Sequence, residues 1–174
     1  MKHTNKSLTN LYSQIISKEV FLRYNFELNN KMSGLTTPDI LYSEYRKEMK
    51  HLSEVVKDRP LLIYRFTSSN CNKCYIEDLQ NLQMQFSNNY DIVSALCSHR
   101  NERDLLILLK TYSIELSVFL IKHDSFNWIA EEEFKPYYFV LHPNMKISHI
   151  YVPDRNFPEL NKQYIEGVRR FLLE

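Results

Sequence analysis

Two cysteines with two residues between them carry the clearest chemical signal in this sequence. Cys71 and Cys74 follow an apolar run at 61–66 and a polar turn at 67–70, and a helical pattern begins with them. The positive end of a helix dipole and the free backbone N–H groups there stabilise a thiolate, which lowers the pKa of the thiol. A cysteine one helical turn further on lies close enough to form a disulfide with the first. The order of strand, turn and helix therefore favours thiol–disulfide chemistry over half of a zinc site.

The composition is that of one soluble globular domain, and it excludes several classes of function. The 174 residues are 44% hydrophobic and carry a net charge of +1, which gives no electrostatic reason to expect nucleic acid as a partner. The chain has only 2 glycines and no dinucleotide-binding or phosphate-loop motif, and we expect no cofactor. Its 3 cysteines are an odd number, which excludes a fully paired disulfide framework. No apolar run approaches the roughly 18 residues of a membrane span, and no signal peptide is visible.

The first third of the chain predicts two helices with a strand between them. Apolar residues at helical spacing predict a short amphipathic helix over 8–16. Alternating apolar and polar residues over 22–28 predict a half-buried strand. Thr37 is placed to cap a second helix, whose periodicity continues to Val56.

The rest of the chain predicts a sheet with helices around it. The expected elements are buried strands at 61–66 and 92–97, a helix after the cysteines, a helix capped by Asn101, a hairpin of strands at 137–141 and 147–152, and a terminal helix over 160–172. This order predicts an α/β chain with a central mixed β-sheet and helices on both faces.

The first two of these strands should be neighbours. A right-handed crossover makes them parallel, and their C-terminal ends then share one edge of the sheet, where open α/β folds place their sites. Cys97 and His99 follow the second strand, so we expect both to lie near the loop that carries Cys71.

These elements and motifs together resemble the thioredoxin-like proteins and, more narrowly, the TlpA/ResA-type thiol–disulfide oxidoreductases of bacterial envelopes. The matching segments within residues 50–172 are the lead-in at 52–62, the motif Cys71-Asn72-Lys73-Cys74, the acid Glu77, and the segment 136–147. The resemblance implies a thioredoxin-like domain over 50–174, with an N-terminal extension over 1–49 packed on its core. The segment 113–135 occupies the place of that subgroup's central insertion.

The resemblance also implies a mechanism. Cys71 is the nucleophile that attacks a partner disulfide, Cys74 is the resolving thiol, and Glu77 relays the proton of Cys74. The partners are protein thiols or disulfides and a second redox protein upstream or downstream. An envelope protein that faces the periplasm is implied, whereas a chain from which no export signal was trimmed would be cytoplasmic.

Four residues are expected to border the groove in which a partner docks: Asn72, Lys73, Lys135 and Pro136. The resemblance implies that the Lys135–Pro136 bond is cis and that its loop packs against the disulfide. A positive charge on Lys73 favours the Cys71 thiolate, stabilises the reduced form and shifts the couple towards oxidising potentials.

The chain departs from the family pattern at several positions. Asn70 replaces the usual Trp before the first cysteine, and Asn72 and Lys73 replace a Gly-Pro or Glu-Pro pair. Lys135 replaces a Thr or Val, and Arg65 stands where thioredoxin itself has a buried acid. For Arg65 and Lys135 we expect ordinary surface or edge chemistry.

Two other interpretations remain open. The ligand types of Cys71, Cys74, Cys97 and His99 suit a Cys3His zinc site, although the spacing of the second pair is shorter than usual. If Cys97 binds no zinc, we expect it to be a small, buried hydrophobic residue at the end of a strand. In the second of these interpretations, the protein is a non-catalytic binding module whose residues 1–49 dock a partner.

Overall fold

The computed structural model describes residues 2–39, 41–44, 49–98, 101–121, 126–132 and 135–174. The helices are α1 (Lys2–Met32), α2 (Leu52–Val56), α3 (Asn72–Gln85), α4 (Glu102–Thr111), α5 (Ile129–Glu132) and α6 (Pro158–Leu173), with a short 3-10 helix at Tyr90–Ile92. The strands are β1 (Leu41–Glu44), β2 (Met49–His51), β3 (Leu61–Thr67), β4 (Val93–Ser98), β5 (Ser117–Leu120), β6 (Tyr137–Leu141) and β7 (Ile147–Tyr151). None of the described helices is both long enough and apolar enough to cross a membrane.

The seven strands form one mixed sheet in the order β2-β1-β5-β4-β3-β6-β7. Strand β3 pairs in parallel with β4 and antiparallel with β6, and β4 pairs in parallel with β5. Strands β6 and β7 form the expected antiparallel hairpin. The prediction of a mixed sheet flanked by helices is therefore confirmed, as is the parallel pairing of the strands on either side of α3.

Strand β3 is buried over all seven residues and divides the core into two layers. Leu62, Tyr64 and Phe66 face one layer, which they share with buried side chains of α3, α4 and α6. Leu61 and Ile63 face the other layer, which α1, α2 and α5 cover. Successive side chains of a strand point to opposite faces of the sheet. A strand that is covered on both faces therefore needs apolar residues at almost every position.

Helix α1 runs without interruption through 22–28, so the prediction of a strand there is wrong. The residues of α1 that face the fold recur at helical spacing, with Phe21, Leu28 and Met32 buried. The alternation seen in the sequence arises because α1 also carries apolar residues on its exposed side, among them Leu22 and Phe26.

Two asparagines attach α1 to strand β7. Asn25 accepts a hydrogen bond from the Val152 N–H at 2.7 Å and donates to the Val152 carbonyl at 3.3 Å. One helical turn later, Asn29 accepts from the Ile150 N–H at 2.9 Å. Gly34, at φ +85°, lets the chain turn back beneath the helix, and its N–H donates to the Ile147 carbonyl.

The helix expected between Thr37 and Val56 is also wrong over most of its length. Strand β1 pairs antiparallel with both β5 and β2, and of the residues described between Thr37 and Val56 only the five of α2 are helical. Thr37 caps no helix, because its hydroxyl and its N–H both donate to the Met145 carbonyl. The partner strand β5 lies far along the chain, and such tertiary pairing overrides a local helical pattern.

Arg65 is buried, so the expectation of surface or edge chemistry at this position is wrong. Both faces of β3 are covered, and only 3% of the Arg65 side chain is exposed. Its guanidinium pairs with Glu131 of α5 at 2.9 Å, donates to Ser98 Oγ at 2.8 Å and donates to the Phe66 carbonyl. The Tyr137 hydroxyl donates to the same Glu131 carboxylate at 2.7 Å. These partners compensate the cost of burying a charge.

We expect Glu131→Ala to lower the free energy of unfolding by about 3 kcal/mol, because it leaves the buried Arg65 charge without its counter-ion. Urea denaturation measures the change. Glu132→Ala, on the exposed neighbour in the same helix, should change stability by less than about 0.5 kcal/mol. Equal losses in the two variants would show that the Arg65–Glu131 pair contributes nothing specific.

Candidate functional site

The turn after β3 is held by its own polar side chains. Asn70 Oδ1 accepts a hydrogen bond from the Thr67 N–H at 2.6 Å, and the Asn70 N–H donates to the Thr67 carbonyl at 3.1 Å. The Ser68 N–H donates to the Ser98 carbonyl at the end of β4. Asn70, which replaces the family's usual Trp, therefore fixes the turn that leads to Cys71.

Cys71 and Cys74 form a disulfide at the start of α3, with Cα atoms 5.1 Å apart. Cys71 is the N-cap residue, and its carbonyl accepts from the N–H groups of Cys74 and Tyr75. Cys71 is exposed and Cys74 is half-buried. The first N–H groups of a helix have no partner within it and favour negative charge, so Cys71 occupies the position that stabilises a thiolate.

A cavity of about 580 Å³ opens beside the disulfide. Both cysteines line it, together with Lys135, Pro136 and the segment 152–156. The structure thus brings together four of the residues that the sequence placed in the site. Lys135 is exposed, as expected, and its ammonium lies 5.7 Å from the ring centroid of Tyr24.

The peptide bond between Lys135 and Pro136 is trans, so the expected cis bond is wrong: the described residues contain no cis peptide bond. The trans form of an X–Pro bond is favoured by about 0.5–1 kcal/mol unless the surrounding structure reverses the preference, and a sequence match alone does not supply that structure. Pro136 still borders the cavity next to the disulfide.

Lys73 and Glu77 lie on α3 outside this cavity lining. The Lys73 side chain is 82% exposed and points along the helix, with its ammonium 3.8 Å from Glu77 Oε1. Arg155 donates to the other Glu77 oxygen at 3.0 Å. The roles given to Lys73 and Glu77 stay predictions, as does that of Asn72, whose side chain lies outside the described residues.

A second acid on α3, Asp78, was not identified from the sequence. Asp78 is half-buried, lines the cavity together with both cysteines, and accepts a hydrogen bond from the Tyr64 hydroxyl at 2.6 Å. Burial raises the pKa of Asp78 above that of an ordinary aspartate. The sequence did hold a signal for Asp78: it lies four residues after Cys74, which places both residues on the same face of the helix.

Cys97 is a free thiol that takes no part in the disulfide and does not line the cavity beside it. It is fully buried in the layer beneath α3, and burial raises the pKa of its thiol to about 12. Cys71 and Cys74 share a disulfide and so present no thiolate, which zinc requires of a cysteine ligand. Across the described part of the chain no three potential ligands gather, and His99 lies outside it.

Comparison with solved structures identifies the fold. A protein disulfide isomerase candidate from Bacteroides thetaiotaomicron superposes with a TM-score of 0.60 over 82% of this chain and 91% of its own, at 15% identity. The thioredoxin domain of a thiol-disulfide oxidoreductase from Bacteroides vulgatus gives 0.53 over 76% and 97%, at 12% identity. A peroxidoxin from Mycobacterium tuberculosis gives 0.56 over 80% and 97%, at 14% identity.

The chain therefore has a thioredoxin-like fold, as the sequence motifs indicated. No protein-family model matches the sequence. No curated protein matches it either. At these identities the likeness establishes the fold, and the chemistry has to be argued from the site itself.

We expect alkylation to distinguish the three cysteines. After reduction, iodoacetamide should modify Cys71 first and Cys74 more slowly, because their exposures differ. Cys97 should react only when the chain is unfolded, since a buried thiol with a pKa of about 12 offers almost no thiolate at neutral pH. Mass spectrometry of the intact and digested protein measures the order. Rapid modification of all three cysteines in the folded protein would contradict the burial of Cys97.

Proposed function

We propose that this protein is a thiol–disulfide oxidoreductase that exchanges disulfides with partner proteins through Cys71 and Cys74. The observation that carries the proposal is a disulfide between an exposed N-cap cysteine and a half-buried cysteine one turn along the same helix. The cavity beside it gives a second molecule access to this edge of the sheet. The thioredoxin-like fold supports the same reading as an analogy only.

The reaction proceeds through two exchanges. The Cys71 thiolate attacks one sulfur of the partner disulfide, a mixed disulfide forms, and the partner's other sulfur leaves as a thiolate. The Cys74 thiolate then attacks Cys71, which restores the Cys71–Cys74 disulfide and releases the second partner thiolate. The partner gains two electrons and the protein loses two. The reverse sequence oxidises a dithiol partner.

The different exposures of the two cysteines support these proposed roles. A partner sulfur can approach Cys71 because its side chain is exposed at the helix start. Cys74 is half-buried behind it and is suited to the intramolecular step, for which proximity to Cys71 is sufficient.

The intramolecular step also needs a group that accepts the proton of Cys74. The Glu77 carboxylate is paired with Lys73 and Arg155 and does not line the cavity that both cysteines border. Asp78 lies in the cavity that Cys74 lines, and Tyr64 fixes the orientation of its carboxylate. In this proposal Asp78 accepts the proton, and its raised pKa brings it nearer to that of the thiol than an ordinary aspartate would be.

Two cysteine variants test the proposed reaction. Cys74→Ser should hold a peptide disulfide substrate as a stable mixed disulfide on Cys71, because the resolving thiol is missing, and Cys71→Ser should form none. Mass spectrometry detects the adduct, and Cys97→Ala serves as a control that keeps wild-type turnover. Two results would refute the oxidoreductase and leave a binding module. One is turnover at the wild-type rate in Cys71→Ser. The other is a wild type without turnover together with a Cys74→Ser variant that forms no adduct.

A second pair of variants tests the proton acceptor. Asp78→Asn should slow the resolution of the mixed disulfide about a hundredfold at neutral pH, as loss of a general base does. In the wild type this rate should fall as the pH drops through the raised pKa of Asp78, because the protonated carboxyl accepts no proton. Stopped-flow measurements from pH 4 to pH 8 give both profiles. In Asp78→Asn the rate should rise with pH over the whole range instead of levelling off above the pKa of Asp78, because only thiolate formed without the base then reacts. Glu77→Gln should keep the wild-type profile, and superimposable profiles for wild type and Asp78→Asn would exclude Asp78.

A further inference from the structure

The first half of α1 stands clear of the core. All residues from Asn10 to Val20 are exposed. The large apolar side chains among them are Leu11, Tyr12, Ile15, Ile16 and Val20. Such a concentration of exposed apolar surface on one helix is unusual for a surface that faces only water.

This part of α1 is one wall of a cleft of about 1090 Å³. Leu11, Ile15 and Ile16 line the helix side, and Asn156 and Phe157 line the opposite side. The volume exceeds the roughly 300–1,000 Å³ of a small-molecule pocket, and the cleft is open rather than enclosed. Its size and shape suit a stretch of polypeptide.

The cleft adjoins the cavity beside the disulfide. The residues that border both are Phe21, Tyr24, Lys135, Asp154 and Asn156. A molecule joined to Cys71 in a mixed disulfide must occupy the smaller cavity. The part of the partner chain that follows its bound cysteine towards α1 then extends into the apolar cleft.

We propose that the cleft beneath α1 binds the partner polypeptide next to its reactive cysteine and selects partners with apolar residues there. The inference rests on the proposed function, since it is the mixed disulfide on Cys71 that places the partner chain at the mouth of the cleft. Ile15 and Ile16 supply the apolar contact.

Charge and position argue against two other occupants. Between residues 10 and 20, where the exposed apolar side chains lie, the charged residues are one lysine and one glutamate, Lys18 and Glu19, and Glu19 forms an ion pair with Arg23 at 2.9 Å. Helices that lie on anionic membranes are rich in Lys and Arg over their polar face. A second copy of this chain seated in the cleft would cover the mouth of the disulfide cavity and exclude the partner.

The test compares the double variant Ile15→Glu/Ile16→Glu with Ile107→Glu. Ile107 lies on α4 and is 54% exposed, as Ile15 is, so it controls for removal of an exposed isoleucine. Each reduced protein is mixed with two peptides of equal length whose single cysteine is joined to nitrothiobenzoate. One peptide has Leu and Phe beside the cysteine, and the other has Ser and Asn. Release of the coloured thiolate reports attack by Cys71, and dithiobis(nitrobenzoate) serves as the small disulfide without a peptide.

The wild type and Ile107→Glu should react about tenfold faster with the apolar peptide than with the polar one, which corresponds to 1.4 kcal/mol of binding. The double variant should lose this preference and keep the wild-type rate with dithiobis(nitrobenzoate). Circular dichroism confirms that each variant is folded.

Four results would overturn the inference. They are a wild type without the preference, a double variant that retains it, a wild-type dimer in sedimentation that the double variant converts to monomer, and wild-type binding to phosphatidylglycerol vesicles that the double variant loses. Failure of the proposed function looks different, because exposed Cys71 would then react once with dithiobis(nitrobenzoate), but the wild type would turn over neither peptide disulfide in the presence of dithiothreitol.

Discussion

The position of the disulfide depends on the burial of strand β3. Hydrogen bonds hold β3 to β4 on one side and to β6 on the other, and side chains cover both of its faces. A slip of one residue would exchange the two faces and move Arg65 into the aromatic layer with Tyr75. The register is therefore fixed, and with it the point at which Thr67 ends the strand and the turn delivers Cys71 to α3.

The sequence predicted the parts of the fold in which local pattern and burial coincide. The apolar runs of β3 and β4, the hairpin of β6 and β7, and the cap of α4 at Asn101 all appear where expected. The predictions that failed depend on contacts between residues that lie far apart in the sequence. Strand β1 exists because β5 lies beside it, and Arg65 is tolerated because Glu131 reaches it from 66 residues away. No local pattern carries that information.

The sequence likewise predicted the part of the site that depends on local residue order and missed the part that depends on packing. The Cys71 and Cys74 pair follows from residue types and order, and Pro136 was added by the family resemblance; all three lie around one cavity. Glu77 and Asp78 are adjacent acids three and four residues after Cys74, so helical spacing makes both of them candidates and does not decide between them. The choice depends on which carboxylate meets Tyr64 and which meets Arg155, and packing alone decides that.

The two asparagines that attach α1 to β7 have a consequence for assembly. Strand β7 is the last strand of the sheet at that end, and a free edge offers unpaired N–H and carbonyl groups to any other strand. Asn25 and Asn29 occupy those groups at Ile150 and Val152. The helix thus protects the sheet from edge-to-edge aggregation, and it cannot swing outwards without exposing that edge. The same two side chains therefore fix the second half of α1 against the sheet and protect the sheet edge at once.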